Sequence, residues 1–460
     1  MTTFALENPS TGRSEETFTR ISDADRDAIL DRSTAAQRDW RRTSIEERAA
    51  VLCRTAGIYR ERQDELAAVI GREMGKLRRQ AVGELGTVAK IYEWYADHAH
   101  ELLADRELPA AGSIRTFVRK DPLGTVLGIM PWNYPYYQVA RWAAPNLLLG
   151  NALVLKHASL CPLSSQACQD ILEEAGLPEG VFRNIYASGS QMEAFIADPR
   201  VAAVSLTGSE EAGSAVAKTA GEHYKKSLLE LGGNDPFVVL DDHHLDQVLR
   251  RYVGARMSNA GQSCTAPKRI IVLEELYDRT LEYLTDKIGG LRVGAWDEED
   301  AKVGPLSSIS ARDEIVGRIA DAAANGDARV VVGGRALDRE GAYMEPALLT
   351  DVDPRSDIGR NEIFGPVALL YRAADVEEAV AIANDTDYGL GSYVYSADLD
   401  LARDVASRME AGMTWINEAG GGAPGLPFGG IGRSGYGREL GHWGVDEFAN
   451  EHLFRVTAAP

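Results

Sequence analysis

Two segments of the chain carry side chains that could form and then hydrolyse a covalent intermediate. Cys264 closes the run Gly-Gln-Ser-Cys, and Glu230 opens the run Glu-Leu-Gly-Gly-Asn-Asp. A cysteine thiolate attacks carbonyl carbon well, and a carboxylate can take a proton from an attacking water. A single cysteine is nevertheless more often an inert, buried apolar residue, and a single glutamate is usually solvated. These two residues alone leave both interpretations open.

Alternating apolar and helical stretches predict the elements that must hold these residues. Residues 23–103 repeat apolar positions at helical spacing. Further along, short apolar runs alternate with helical stretches, which predicts parallel sheets with helices on both faces. The strands are predicted at 125–130, 152–155, 182–186 and 202–206, and in a second series at 236–240, 269–273, 329–332, 347–350 and 367–371. Within residues 113–126, alternating apolar and basic residues followed by Asp-Pro-Leu-Gly predict a hairpin.

Composition and charge exclude several classes of protein. A chain of 460 residues exceeds what one hydrophobic core supports, so two or more domains are expected. A net charge of −20 opposes contact with phosphate backbones, so no nucleic-acid partner is expected. Cys53, Cys161 and Cys168 are interpreted as inert, and the four cysteines form neither a disulfide framework nor a metal-binding pattern. Without a signal sequence or a membrane-spanning run, a cytoplasmic protein with no membrane contact is expected.

Seven short motifs make the chain resemble a known superfamily, the aldehyde dehydrogenases. They follow the order and spacing found there, and the resemblance runs from near residue 6 to near residue 455. The motifs are Met130-Pro131-Trp132-Asn133-Tyr134-Pro135, Leu155-Lys156, Thr207-Gly208-Ser209, Glu230-Leu231-Gly232-Gly233, Gly261-Gln262-Ser263-Cys264, Glu362-Ile363-Phe364-Gly365-Pro366 and Pro427-Phe428-Gly429-Gly430. One such motif would be weak evidence, whereas seven in order are hard to obtain by chance.

The resemblance implies a fold and a domain organisation. The expected α/β fold joins a Rossmann-type cofactor domain to an α/β catalytic domain and a small oligomerisation hairpin. The cofactor domain would comprise residues 1–112 and 123–233, and the catalytic domain residues 234–446. Residues 113–122 and 447–460 would form an oligomerisation arm. Because the strand edges of such an arm need another subunit, a homodimer or homotetramer is expected.

The resemblance also implies a mechanism. Cys264 would attack an aldehyde to give a thiohemiacetal, and the Asn133 side chain and the Cys264 backbone N–H would hold its oxyanion. After hydride transfer, Glu230 would activate the water that hydrolyses the resulting thioester. Branches that pass the acyl group to coenzyme A tend to lack this base, so a free carboxylic acid is the expected product. The alternative for Asn133 is a turn residue close to a proline.

A nicotinamide cofactor is the second expectation from the resemblance. Gly208 and Ser209 would bind the pyrophosphate at a helix N-terminus, where backbone N–H groups favour an anion. The other residues expected at the cofactor are Trp132 near the phosphates, Lys156 and Glu362 at the riboses, Leu231 and Phe364 near the nicotinamide, and Asn133. The alternative for Phe364 is ordinary core packing.

Ser159 bears on the choice between NAD and NADP. Many NAD-specific members of the superfamily carry at this position a glutamate that would repel a 2′-phosphate. A serine removes the repulsion and can donate a hydrogen bond to phosphate, so the sequence favours NADP, with NAD tolerated. The neighbouring His157 would either add a positive charge at the phosphate or have no role.

Arg141 bears on the substrate. An arginine at this position resembles the succinate-semialdehyde dehydrogenase branch, and a guanidinium binds a carboxylate through paired hydrogen bonds. The expected reaction is therefore the oxidation of succinate semialdehyde to succinate. The alternative for Arg141 is an exposed helix face, and Ser258 stands where some members carry a second arginine. The alternative functions are the oxidation of another aldehyde, a cofactor-independent thiol esterase, and a non-catalytic member of the superfamily.

Overall fold

A computed structural model describes residues 2–420 and 422–459, which contain 20 strands and 16 α-helices. The strands are β1 (Thr3–Asn8), β2 (Arg13–Thr19), β3 (Arg106–Glu107), β4 (Arg115–Pro122), β5 (Thr125–Met130), β6 (Ala152–His157), β7 (Phe182–Ile185), β8 (Val201–Thr207), β9 (Lys226–Glu230), β10 (Pro236–Val239), β11 (Arg269–Leu273), β12 (Arg329–Val332), β13 (Ala347–Thr350), β14 (Val367–Ala373), β15 (Tyr388–Gly389), β16 (Gly391–Tyr395), β17 (Met413–Ile416), β18 (Ile431–Gly432), β19 (Gly435–Tyr436) and β20 (Ala449–Val456). The helices are α1 (Asp23–Trp40), α2 (Ile45–Glu61), α3 (Gln63–Met74), α4 (Arg78–Asp97), α5 (Ala99–Leu102), α6 (Pro135–Leu149), α7 (Pro162–Glu174), α8 (Met192–Ala197), α9 (Glu210–Glu222), α10 (Leu245–Met257), α11 (Glu274–Gly289), α12 (Ile309–Asn325), α13 (Asp357–Arg360), α14 (Val376–Asn384), α15 (Leu399–Ser407) and α16 (Gly441–Glu447).

A six-stranded sheet in the order β19-β9-β8-β5-β6-β7 forms the first half of the molecule. Strands β5 to β9 are parallel, and β19 runs antiparallel to β9. The apolar residues of β5, β6 and β8 are almost all buried because helices cover both faces of the sheet. The carboxyl ends of β5, β8 and β9 therefore lie side by side at one edge, with Thr207 in register with Glu230.

A seven-stranded sheet in the order β12-β13-β14-β11-β10-β16-β17 forms the second half. All of its neighbouring pairs are parallel except β12 with β13. Segment 231–235 joins β9 of the first sheet to β10 of the second, and the turn before β11 carries Cys264. This arrangement confirms the predicted α/β fold class. The sequence did not predict β16 and β17.

The predicted hairpin at 113–126 is wrong. Strand β4 pairs antiparallel with the C-terminal strand β20 over its whole length and with β3. The chain after its turn enters β5 of the six-stranded sheet because the apolar run at 125–130 is buried there on both faces. Residues 447–460, which were expected to share an arm with residues 113–122, contain β20, which pairs with β4; β3, which precedes residue 113, belongs to the same sheet.

Helices α1 to α5 occupy the region 23–103 that was predicted to be helical. Ser22 and Ser44 begin α1 and α2 with capping boxes, and the left-handed Gly75 (φ 76°) ends α3. Helix α4 packs against α2 and α6, and α6 begins two residues after Asn133, so α4 lies next to the segment that carries Asn133. Within the described residues, no helix is both long and apolar enough to cross a bilayer.

Candidate active site

A cavity of about 260 Å³ brings together most of the residues that the sequence assigned to chemistry. The sequence-predicted residues that line it are Trp132, Asn133, Gly208, Ser209, Leu231, Cys264, Glu362 and Phe364. The sequence did not predict a role for Gln138, which also lines the cavity and whose buried Oε1 accepts no hydrogen bond from the described residues. Glu230 directly precedes the cavity-lining Leu231 at the end of β9.

The turn before Cys264 has an unusual backbone. Asn259, Ala260 and Gly261 have successive φ values of 53°, 54° and 73°. The left-handed region costs most non-glycine residues about 1–2 kcal/mol, so surrounding contacts must hold this turn. Gln262 supplies two of them, donating from Nε2 to Asn259 O at 3.0 Å and accepting from Ser307 N at 2.9 Å. At Gly261 a Cβ would lie 2.1 Å from the Gly365 carbonyl, so the turn requires glycine there.

Arg256 ties this turn to the segment that contains Glu362 and Phe364. Its fully buried guanidinium donates to the carbonyl of Gly261 at 3.2 Å. It also donates to the carbonyls of Ile363, Gly365 and Val367 at 3.0, 2.6 and 2.7 Å. Burial lowers the pKa of Arg256 to about 10, which leaves it charged at neutral pH. This role could not be predicted from the sequence, because the arginine lies on a helix whose pattern is otherwise ordinary.

Cys264 is a neutral thiol at rest. Burial raises its pKa to about 12, while the charges of Arg141 and Lys268 lower it. Lys268, which the sequence also missed, is itself buried and donates from Nζ to the carbonyl oxygens of Ser263 at 3.0 Å and of Cys264 at 2.5 Å. Its third contact is an ion pair with Glu362 Oε1 at 2.7 Å. A single lysine therefore connects the nucleophile turn with the carboxylate expected at a cofactor ribose.

Glu230 is buried, and its carboxylate oxygens form no hydrogen bonds with the described residues. Burial and the nearby Glu439 raise the pKa of Glu230, and Arg141 opposes the rise. The raised pKa favours the protonated carboxyl, whereas a general base must be ionised. At Gly429 a Cβ would lie 2.6 Å from Glu230 Oε1, so the glycine of the Pro-Phe-Gly-Gly motif leaves room for the carboxylate.

Asn133 lies between the two halves of the site. Its Nδ2 donates to the Gln262 carbonyl at 3.1 Å, which leaves the second hydrogen of the amide free. Its own backbone carbonyl accepts from Asn259 Nδ2 at 2.9 Å and from Lys76 Nζ at 2.8 Å. These contacts, which a simple turn residue would not require, fix the Asn133 segment against the turn that carries Cys264.

Arg141 is buried inside α6, which excludes the exposed helix face considered as its alternative. Its Nε lies 2.8 Å from Glu439 Oε2, and its Cζ lies 4.0 Å from the ring centre of Phe428 and 5.0 Å from that of Tyr137. None of its nitrogens forms a hydrogen bond of suitable geometry with the described residues. The guanidinium is therefore held by the charge of Glu439 and by ring packing, and Arg141 is not among the residues that line the cavity.

The other side of the cavity carries groups of the kind that bind a dinucleotide. Ser209 caps α9 by accepting from Ala212 N at 3.3 Å, so the first N–H groups of this helix lie beside the cavity. The buried Thr207 hydroxyl makes no hydrogen bond to a described residue. Trp132 and Phe364 meet edge to face, with ring centres 5.7 Å apart. The polar helix end and the aromatic pair suit a pyrophosphate and a flat ring, respectively.

Lys156 and Ser159 lie apart from this cavity, at the carboxyl end of β6 and in the turn after it. Both are half-buried, and burial, together with the charge of Arg20, lowers the pKa of Lys156. His157 points elsewhere: it is buried, its Nε2 lies 3.0 Å from the Pro135 carbonyl, and burial lowers its pKa to about 4. A neutral His157 brings no charge to a phosphate.

The sequence profile described as the aldehyde dehydrogenase family matches residues 1–453. The chain belongs to the aldehyde dehydrogenase family. A succinate-semialdehyde dehydrogenase [NADP(+)] of Deinococcus radiodurans is 44% identical over 98% of this chain and 94% of that relative. One of Mycobacterium ulcerans is 42% identical over 97% of this chain and 98% of its own length.

A solved structure extends these similarities to the fold. The crystal structure of succinic semialdehyde dehydrogenase from Streptococcus pyogenes, in complex with NADP+ as the cofactor, has a TM-score of 0.96 to this chain. It is 39% identical and covers 99% of this chain and 100% of its own. Family membership confirms the resemblance found in the sequence, and it makes the chain an NAD(P)-dependent oxidoreductase of aldehydes.

Proposed function

We propose that this aldehyde dehydrogenase oxidises succinate semialdehyde to succinate and favours NADP over NAD. The observation that carries the choice of substrate is the buried Arg141: Glu439 Oε2 lies 2.8 Å from its Nε, but the guanidinium hydrogens make no hydrogen bond of suitable geometry with the described residues. A carboxylate at the far end of the substrate would accept them in pairs. The names of the Deinococcus and Mycobacterium relatives agree with this substrate and with NADP.

In the proposed mechanism, Cys264 first loses its thiol proton to solvent, and Sγ then attacks the aldehyde carbon as a thiolate and forms a thiohemiacetal. The free N–H of the Asn133 amide and the Cys264 backbone N–H donate to the oxyanion, an arrangement whose loss typically costs about 10²- to 10³-fold in rate. Once hydride has left the carbon, a thioester remains on Sγ. Glu230 takes a proton from the water that attacks this thioester, which releases succinate and the Cys264 thiolate.

The residues proposed to hold the cofactor are Trp132, Asn133, Lys156, Ser159, Gly208, Ser209, Leu231, Glu362 and Phe364. NADP, when bound, supplies the hydride acceptor. The α9 N-terminus after Ser209 is suited to its pyrophosphate, and Glu362, anchored by Lys268, to a ribose hydroxyl. Ser159 supports the preference for NADP because it leaves room for the 2′-phosphate that a glutamate would repel.

The proposed division into domains follows the two sheets except at β19, which lies within residues 234–446 but extends the first sheet. Residues 1–112 and 123–233 would bind the cofactor, residues 234–446 would carry the nucleophile, and residues 113–122 and 447–460 would form the oligomerisation arm. The arm exposes Ile114, Leu453 and Val456, which supports a homodimer or homotetramer in which another subunit covers them. We place the protein in the cytoplasm.

A steady-state comparison of succinate semialdehyde with butanal, each with NADP and NAD, tests the proposal. The kcat/KM should be highest for succinate semialdehyde with NADP. In Arg141→Met the KM for succinate semialdehyde should rise at least about tenfold, the cost of one charged hydrogen bond, while that for butanal changes little. Equal losses for both aldehydes would contradict the carboxylate role, and a preference for butanal in the unmodified enzyme would contradict the substrate.

A single-turnover experiment tests the role of Glu230. In Glu230→Gln the first equivalent of NADPH should form at nearly the normal rate, and later turnovers should slow because the thioester persists. Mass spectrometry of the quenched protein should then detect a succinyl group on Cys264. A variant that loses the first turnover as well would assign Glu230 to an earlier step.

A further inference from the structure

A buried ion pair lies beneath the Asn133 segment. Lys76 follows Gly75, the left-handed residue that ends α3, and Glu84 lies on α4. The two side chains are fully buried and in direct contact through Lys76 Nζ and Glu84 Oε2. Neither residue belongs to the motifs that the sequence assigned to catalysis or cofactor binding.

The remaining hydrogen bonds of this pair converge on residues 133–137. Lys76 Nζ donates to the Asn133 carbonyl at 2.8 Å and lies 3.6 Å from the ring centre of Tyr134. Glu84 Oε1 accepts from the backbone N–H groups of Tyr136 and Tyr137 at 3.0 and 3.1 Å. The pair therefore fixes both the residue expected to hold the oxyanion and the first turn of α6.

The nucleophile turn meets the same carbonyl. Asn259 Nδ2 donates to Asn133 O at 2.9 Å and to Gln262 O at 3.1 Å, while Asn133 Nδ2 donates to that same Gln262 oxygen at 3.1 Å. Lys76 and Asn259 thus both donate to one backbone oxygen. A shift of this oxygen would move the Asn133 amide relative to Cys264.

Stability alone gives little reason for such a pair. Desolvation of two buried charges offsets most of their attraction, and apolar replacements of similar volume are often as stable. The position of a catalytic group matters far more than this, because a misplacement of about 1 Å at a reacting group can lower the rate about 100-fold. The contacts of Lys76 and Glu84 are those expected of a pair that determines the position of the Asn133 segment.

We infer that Lys76 and Glu84 are positioning residues that hold the Asn133 amide where the oxyanion develops. The inference rests on the proposed role of Asn133. Ester hydrolysis through Cys264 passes through a tetrahedral oxyanion, as aldehyde oxidation does. Alkylation of the same thiol by iodoacetamide is a direct displacement and needs no oxyanion donor. A positioning role therefore predicts that Lys76→Met slows the first two reactions and spares the third.

The test compares these three rates in the full-length enzyme, with p-nitrophenyl acetate as the ester. Lys76→Met should lower kcat for aldehyde and ester about 10- to 100-fold and change the alkylation rate less than about threefold. Lys76→Met/Glu84→Gln removes both charges, so it should regain thermal stability without regaining either rate. Should the single variant fail to fold, the double variant provides the same three rates. Equal losses in all three reactions, or normal oxidation and ester hydrolysis, would overturn the inference.

Two further variants complete the test. Lys120→Met removes a lysine with the same kinds of partner, the carboxylate of Asp446 at 2.7 Å and the Leu102 carbonyl at 2.9 Å, at a place where neither partner lies in the proposed site. It should leave all three rates unchanged. Asn133→Ala distinguishes a failure of the proposed role of Asn133 from a failure of the positioning role of Lys76 and Glu84. If it leaves ester hydrolysis intact, the proposed role of Asn133 fails; if it slows hydrolysis and Lys76→Met does not, only the positioning role fails.

Discussion

Replacing Lys268 by methionine should weaken NADP binding through an effect on Glu362. Lys268 Nζ is 2.7 Å from Glu362 Oε1, and the lysine side chain is 1% exposed, so water cannot replace it. At Gly232 a Cβ would lie 2.5 Å from Glu362 Oε2, so the other oxygen lies over a glycine on the cavity side. Without Lys268 the carboxylate loses the contact that fixes this orientation.

The size of the effect follows from the number of bonds involved. We expect Glu362 to give one charged hydrogen bond to a ribose hydroxyl, and such a bond contributes about 1.5–3 kcal/mol. Since about 1.4 kcal/mol corresponds to a factor of ten, Lys268→Met should raise the Kd for NADP about 10- to 100-fold. Glu362→Gln should have a similar effect because the amide replaces the charged acceptor.

Quenching of protein fluorescence on titration with NADP measures these constants, since Trp132 lines the cavity. The decisive variant is Lys268→Met/Glu362→Gln. If Lys268 acts on the cofactor only through Glu362, the double variant should bind NADP as weakly as Glu362→Gln alone. Lys287→Met is the control, because this exposed lysine pairs with the adjacent Asp286 at 2.8 Å and is not among the residues that line the cavity. The reasoning would be refuted if the losses of NADP binding free energy in the two single variants added in full in the double variant. An unchanged Kd in Lys268→Met would refute it as well.

Three other predictions concern the nucleophile, the cofactor and the base. Because burial raises the pKa of Cys264 to about 12, its alkylation by iodoacetamide without cofactor should accelerate about tenfold per pH unit between pH 7 and 9; a plateau in this range would be contrary evidence. Ser159→Glu should lower kcat/KM with NADP by at least about tenfold and leave kcat/KM with NAD nearly unchanged. Equal losses with both cofactors would contradict the role of Ser159. Gly429→Ala places a Cβ 2.6 Å from Glu230 Oε1, so NADPH should appear in a burst followed by turnover slowed about 10- to 100-fold; an unchanged kcat would show that Glu230 tolerates the methyl group.

Local motifs predicted the residues that line the cavity because the chemistry demands given residue types at fixed places in the chain. Cys264 follows its left-handed turn, and Ser209 caps the helix after β8, so each is recognisable from a few neighbouring residues. The parallel sheets were predictable for a similar reason: strands such as β5 and β11 are continuous apolar runs.

Contacts between distant segments could not be predicted in this way. Lys268, Arg256 and the Lys76–Glu84 pair reach partners through the folded core, and nothing in their own neighbourhoods signals it. The hairpin prediction failed for a related reason, since the local alternation at 113–122 is satisfied by β20 from the far end of the chain. Strand β2 was missed because its exposed residues carry almost no apolar pattern.

Binding of the substrate at Arg141 and hydrolysis of the thioester favour opposite protonation states of Glu230. Burial raises the pKa of both Glu230 and Glu439, and each faces Arg141. Two ionised glutamates would outweigh the single guanidinium and repel a substrate carboxylate, whereas a protonated Glu230 leaves the substrate to share Arg141 with Glu439 alone. Hydrolysis of the thioester, in contrast, needs Glu230 ionised. Raising the pH through the Glu230 titration should therefore increase kcat and, at the same time, increase KM for succinate semialdehyde but not for butanal. If kcat rises with pH while KM stays constant for both aldehydes, ionised Glu230 does not compete with the substrate carboxylate for the charge of Arg141.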